Sequence, residues 1–266
     1  MTPNPKPKTV RPVRANAGLR ARYRRRLTAL IDEMQASVSY WLTAAYRAAP
    51  PRVAELAEDA TPSDQMQSEV QRLFEQWMKR FEDAAPGTAE SFMISQFSTT
   101  DAAMRMALKD AGWTVKFTMT PAMRDAFNAC LSENVGLIKS IPSAYFEKIQ
   151  GLTARSFANG RNLQMFTEGI KALYPVTANR AVLIARDQTN KATAVITRTR
   201  QLELGLKEAL WVHSGGGKTP RPSHVRANGE RYKIAEGCVI DGVPIQPGEL
   251  INCRCVSRPI LPYVTA

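Results

Sequence analysis

Trp211-Val-His213-Ser-Gly-Gly-Gly-Lys-Thr-Pro-Arg221-Pro-Ser223-His224 opens a stretch that closes on Pro247-Gly248-Glu249-Leu-Ile251-Asn252-Cys253-Arg254-Cys255. Between them come Asn228-Gly229 and Asp241-Gly242, and the short runs Arg231-Tyr-Lys-Ile, Cys238-Val-Ile and Cys253-Arg-Cys-Val. Brief β-prone runs separated by glycine and proline predict a small β-rich module built on turns.

Upstream the texture is helical. Leu27, Leu30, Ile31, Met34, Val38, Trp41 and Leu42 recur at steps of three and four, which predicts an amphipathic helix ended by Pro50 and Pro51. A second helix starts at Thr61-Pro62-Ser63-Asp64, capped by Thr61 or Ser63, with Val70, Leu73, Phe74, Trp77 and Phe81 as its buried face. Residues 88–111 continue as helix with a break near Ser98-Thr-Thr-Asp101, and the alternating run 113–120 predicts a strand or extended connector. Helices follow over 121–140, 143–159 and 162–173, punctuated by Pro142, Gly160 and Pro175. Thr177 caps one last long helix, ended by Gly205.

The expected fold class is α+β, a mostly α-helical N-terminal domain with a small β-rich C-terminal module. The expected divisions are a disordered basic arm (1–16), a helical domain (17–176), a long connecting helix (177–205) and the module (206–266).

Net charge is +12, and its placement says more than its size. Residues 1–26 hold nine Lys or Arg and no acid, so the excess sits in an arm and not across the fold. Four prolines among residues 2–16 and little apolar surface predict disorder there. Arg20, Arg22, Arg24, Arg25 and Arg26 occupy the first turns of a helix, where the macrodipole disfavours cations and a polyanion would supply countercharge. These five are the candidate nucleic-acid-binding residues, with an acidic protein surface as the rival partner. Binding of this kind depends on salt and ignores sequence. No stretch approaches the ~20 apolar residues of a membrane span, and no secretory signal opens the chain. A cytoplasm, or a particle assembled in one, is the expected setting.

The module's order of residues strongly resembles the C-terminal domain of phage Mu F-like minor head proteins. In that family a tryptophan precedes an Arg-x-x-His step, a glycine follows, and the domain closes on Pro-Gly and Asn-Cys-Arg-Cys. The matching residues are Trp211, Arg221, His224, Gly229, Pro247, Asn252, Cys253, Arg254 and Cys255. The helix carrying Ile184-Ala-Arg-Asp-Gln-Thr-Asn-Lys resembles the family's lead-in helix. The resemblance covers roughly residues 178–260. Many members have an acid between the tryptophan and the arginine, where this chain has Gly215-Gly216-Gly217. The resemblance implies a minor component of a phage head that assists capsid assembly, DNA packaging or ejection beside the portal. It implies partners among portal and other head proteins, non-specific contact with genomic DNA, no membrane and no catalysis.

Cys253 and Cys255 alternate, so on a strand both thiols share one face and Arg254 takes the other. With His224, Cys238 or His213 they would make a zinc site, but burial as two small hydrophobes is the favoured reading. The rival function is a metal-dependent nuclease using this His/Cys cluster. A general base needs a positioned partner, and none stands at a telling spacing from His224. His224 and Arg221 are instead expected to tie loop carbonyls to the core, and Asn252 to cap a neighbouring turn. The run Gly215–Thr219 lacks the first glycine and the following helix of a phosphate-binding loop. No catalytic residue, metal or cofactor is therefore expected.

Overall fold

The computed structural model describes residues 8–48, 61–160, 162–217 and 219–262. Expectations for residues 1–7, for Pro50 and Pro51, and for Lys218 fall outside the described residues. The elements run α1 (Ala17–Ala48), α2 (Pro62–Asp110), α3 (Pro121–Ala158), α4 (Leu163–Glu203), β1 (Glu208–Val212), α5 (Pro222–Arg226), β2 (Arg231–Lys233), β3 (Cys238–Ile240), β4 (Val243–Ile245) and β5 (Val256–Pro259). The fold class is α+β, helices first and a small antiparallel β region last. The chain divides into two compact units, each assembled from non-contiguous stretches: residues 1–21, 90–132 and 185–266 in one, 22–89 and 133–184 in the other.

Among the described residues, the unit of residues 22–89 and 133–184 contains helices and no strand. Of the stripe read from the sequence, Leu27, Ile31, Met34, Val38 and Leu42 are fully buried with Phe81, Phe146 and Phe166, and Leu30 is nearly so, but Trp41 is exposed and lies outside this core. Two of its tyrosine hydroxyls are paired: Tyr23 donates to Asn134 Oδ1 (2.9 Å), and Tyr145 donates to Gln35 Oε1 (2.8 Å). α2 opens on a reciprocal cap, in which Thr61 Oγ1 accepts from the Asp64 amide and Asp64 Oδ2 accepts from the Thr61 amide.

Several expected breaks are absent. Pro142 and Pro175 sit inside α3 and α4. A proline removes one helical hydrogen bond and bends the helix, but the flanking turns are anchored by burial: Ile141 and Tyr145 around Pro142, Ile170 and Ala181 around Pro175. Thr177 is therefore mid-helix, its hydroxyl donating to the Leu173 carbonyl (3.0 Å), and caps nothing. The break near residues 98–101 is also absent. Thr100 and Asp101 are buried, Thr100 accepting from Gln96 Nε2 (3.1 Å) and Asp101 held by Arg200. Local polarity suggested a cap, whereas tertiary partners keep these residues in a helix.

The second unit carries the module. β2-β1-β5 form an antiparallel sheet, and β3-β4 a hairpin whose two-residue turn, Asp241-Gly242, has both φ angles positive (53° and 80°). That is the twist a two-residue hairpin requires. Residues 113–120 pair with no strand among the described residues, and are an extended connector. The arm departs most from expectation. Residues 8–16 are ordered: Thr9 bridges Ile260, the Val10 amide donates to the Pro259 carbonyl, and Val10 and Val13 are buried in the core with Trp211. Composition predicted disorder, but two valines spaced to enter a core outweigh the prolines around them.

Under this core lies one buried ion pair. Arg200 Nε and Nη2 donate to the two carboxylate oxygens of Asp101 (3.0 and 2.8 Å), and Nη1 donates to the Thr118 carbonyl (2.7 Å) and Glu203 (2.8 Å). The guanidinium lies over Phe117 (4.6 Å). Burial lowers its pKa, and the hydrogen bonds to Asp101 and Glu203 outweigh that and raise it. This pair pins connector 113–120 to α4.

Candidate functional site

Trp211 is the largest fully buried side chain, placed by the inward face of β1. Its ring meets His224 edge-on, centroids 5.3 Å apart, and Tyr232 at 6.5 Å. His224 projects from α5, a single turn begun by Pro222. Its Nδ1 lies 3.5 Å from Cys253 Sγ and 3.7 Å from Cys255 Sγ. Both cysteines are buried, though they lie in the irregular segment between the Ile251–Asn252 turn and β5 and not on a strand. The expectation that His224 donates to a loop carbonyl is corrected: its Nδ1 faces sulfur. Arg221 does donate to a loop carbonyl, that of Ile251 (3.0 Å).

The two thiols are coupled. Cys253 is drawn below the usual thiol range by a hydrogen bond from Cys255, against its burial, helped by the backbone amides of Cys255 and Gly248 and by His224. The same hydrogen bond, with burial, pushes Cys255 up. The ligand atoms of His224, Cys253 and Cys255 lie within 4.8 Å of one another. A closed zinc site takes four ligands, and among the described residues this group has three. Cys238 and His213 do not join it. Cys238 is buried elsewhere in the core, and His213 Nδ1 accepts from the Gly215 amide (3.2 Å).

The closing loop is bolted to α4. The Asn252 amide donates to Asp187 Oδ1 (2.7 Å), Arg186 donates to the Asn252 side-chain oxygen, and Asn190 Nδ2 donates to the Cys253 carbonyl (3.3 Å). Asn252 itself adopts φ 63°, so its role is a left-handed turn plus an acceptor for Arg186, not a cap on a neighbouring turn. Gly248 (φ 87°) packs so close to α4 that a Cβ would meet the Ala194 methyl at 2.7 Å, and Pro247 beside it is buried. Gly229 (φ 92°) gives its amide to the Trp211 carbonyl (2.8 Å). The residues that sequence reading passed over are Asp187, Asn190 and Arg186. They stand on one side of α4 at spacings of three and four, a signal visible only once their target loop is known.

Arg22, Arg24, Arg25 and Arg26 are exposed on α1, where Asn16 Oδ1 accepts from the Leu19 amide (3.0 Å) and no acid occupies the first turn. Arg20 and Arg254 are half-buried and line a cavity. Among the described residues no helix is long and apolar enough to cross a membrane.

A protein of Haemophilus influenzae described as uncharacterized is 34% identical over 142 residues, 53% of this chain and 31% of the relative. The chain thus matches about a third of that relative's length. No solved structure matches. Residues 147–258 match the family model described as Phage Mu protein F like protein, which begins earlier than the resemblance read from the module because it takes in the end of α3 and all of α4. Over residues 147–258, its C-terminal region, this chain is thus similar to the Phage Mu protein F like family.

Proposed function

We propose that the protein is a minor head protein of a tailed phage, assisting capsid assembly, DNA packaging or ejection at the portal. The observation that carries this reading is the family match over 147–258 falling on a loop locked to α4 by Asp187 and Asn190. The module is built for shape. Its imidazole and both thiols are buried under Trp211, so cohesion is their work, and the exposed Val239, Val243 and Ile251 offer apolar surface for another head protein. The exposed arginines of α1 supply a sequence-independent contact to DNA or to an acidic surface.

The test is fractionation of infected cells on a density gradient, with the chain tagged. It should travel with heads and be captured by portal protein. Recovery only as free protein, with no portal capture, refutes the assignment. The nuclease reading predicts stoichiometric zinc and plasmid nicking that His224→Ala abolishes. Neither is expected.

A further inference from the structure

The unit holding the module contains a half-enclosed cavity of about 470 Å³. Arg14, Arg20, Lys191, Arg198 and Arg254 all line it, against a single carboxylate among the described residues, Glu249. The five come from three separate stretches of chain: the segment leading into α1 together with its first turn, helix α4 and the Asn-Cys-Arg-Cys loop. Arg14, Arg20 and Arg254 have no carboxylate partner among the described residues, and Arg198 is held in place by the Ile234 and Ala235 carbonyls (3.3 and 3.1 Å). Convergence of like charges in a recess is unfavourable unless an anion enters it.

A second observation points the same way. The Tyr232 hydroxyl donates to Ser257 Oγ (2.7 Å), and Ser257 Oγ donates to Gln201 Oε1 (3.2 Å). This leaves the Gln201 amide nitrogen as the end without a partner among the described residues. Gln201 lines the cavity, is 1% exposed, and its Nε2 has no hydrogen-bond partner among the described residues; the same holds for Thr197 Oγ1. A buried donor left unmatched is costly, and an acceptor in the cavity would satisfy it. Four of the five cations are arginines, whose planar fork suits phosphate oxygens. The apolar wall of Val13, Val195, Pro247 and Val256 suits a ligand with an uncharged body. Glu249, one oxygen of which accepts from the Gln246 amide (2.7 Å), leaves its other oxygen for a ligand N–H or O–H.

We propose that this cavity binds a phosphate ester of nucleotide size, phosphates among the arginines and the uncharged portion against the apolar wall. The same chemistry is carried by a free nucleotide and by the 5′-phosphate end of a DNA strand. The arginines of α1 that face solvent take no part in it.

Equilibrium dialysis of the full chain with dATP tests it. Saturable binding is expected, weakened about tenfold or more in the Arg20→Gln/Arg254→Gln variant, since charge-assisted hydrogen bonds to the phosphates are removed. Gln201→Glu, similar in size but ending in an anion, should weaken it too, which covers the case of a poorly folded double variant. Arg22→Gln/Arg24→Gln/Arg25→Gln/Arg26→Gln should bind dATP as the parent does. Competition by a short oligodeoxynucleotide only when it carries a 5′-phosphate assigns the source to a DNA end, and its failure to compete assigns it to free nucleotide. Absence of saturable binding, or parent-like affinity in both cavity variants, overturns the proposal. So does displacement by oligoglutamate at lower concentration than by unlabelled dATP, which would make the cavity a site for an acidic peptide.

Discussion

The imidazole of His224 stands perpendicular to the indole of Trp211, ring planes at 87° and centroids 5.3 Å apart, so β1 and α5 are joined through one edge-to-face contact. The same imidazole reaches both thiols of the closing loop. Trp211 therefore supports everything packed behind it. Trp211→Ala should destabilise its unit by ~3–5 kcal/mol, the cost of deleting a large buried aromatic. Thermal or denaturant unfolding measures it, and a parent-like midpoint would show that the indole is not core.

Gly248 is required twice, by its positive φ and by its contact with Ala194. Gly248→Ala should cost ~2–3 kcal/mol, combining overpacking with a left-handed backbone. The double variant Gly248→Ala/Ala194→Gly relieves the steric part only. Its recovery of some but not all stability separates the two causes.

Breaking the Arg200–Asp101 pair leaves a buried charge unmatched. Arg200→Met and Asp101→Asn should each cost ~3–5 kcal/mol, and replacing both partners by apolar groups should cost much less. Equal destabilisation in single and double variants would show that packing of Arg200 over Phe117, and not charge, is what matters.

Burial pushes the Tyr232 phenol up to about 12, partly offset by its hydrogen bond to Ser257. A raised folded-state pKa means its contribution is complete below the unfolded value of ~10 and is lost as pH rises through about 12. Alkaline unfolding should therefore begin above pH ~10, and Tyr232→Phe should make the curve less steep there. Tyrosinate absorbance during alkaline titration reports it, and ionisation of every tyrosine near pH ~10 without unfolding contradicts the burial argument.

DNA binding by α1 is best tested without deleting residues 1–26, because Val10 and Val13 are core. Substituting Arg22, Arg24, Arg25 and Arg26 by Gln leaves that core intact. It should lower DNA affinity and reduce the salt slope by about 0.9 for each phosphate no longer neutralised. An unchanged slope leaves an acidic protein surface as the partner of these arginines.

Features that repeat locally, or depend on one residue's backbone freedom, can be read from the chain alone. The 3.6-residue stripe of α1, the Thr61–Asp64 cap, the Gly205 stop and the β-rich texture after Trp211 were all legible in it, as was the order of motif residues from Trp211 to Cys255. The rest depended on packing between distant segments. Pro142 and Pro175 ended nothing because buried neighbours hold both flanks, and Asp101 left no break because Arg200, 99 residues away, claims it. Residues 8–16 ordered because a sheet edge and a core received them. Asp187 and Asn190 became loop anchors, and Arg20 and Arg254 came to share a cavity, through proximity that no local pattern encodes. Propensity acts over a few residues, whereas burial and pairing act between segments far apart in the chain, and at these positions the longer-range terms are larger.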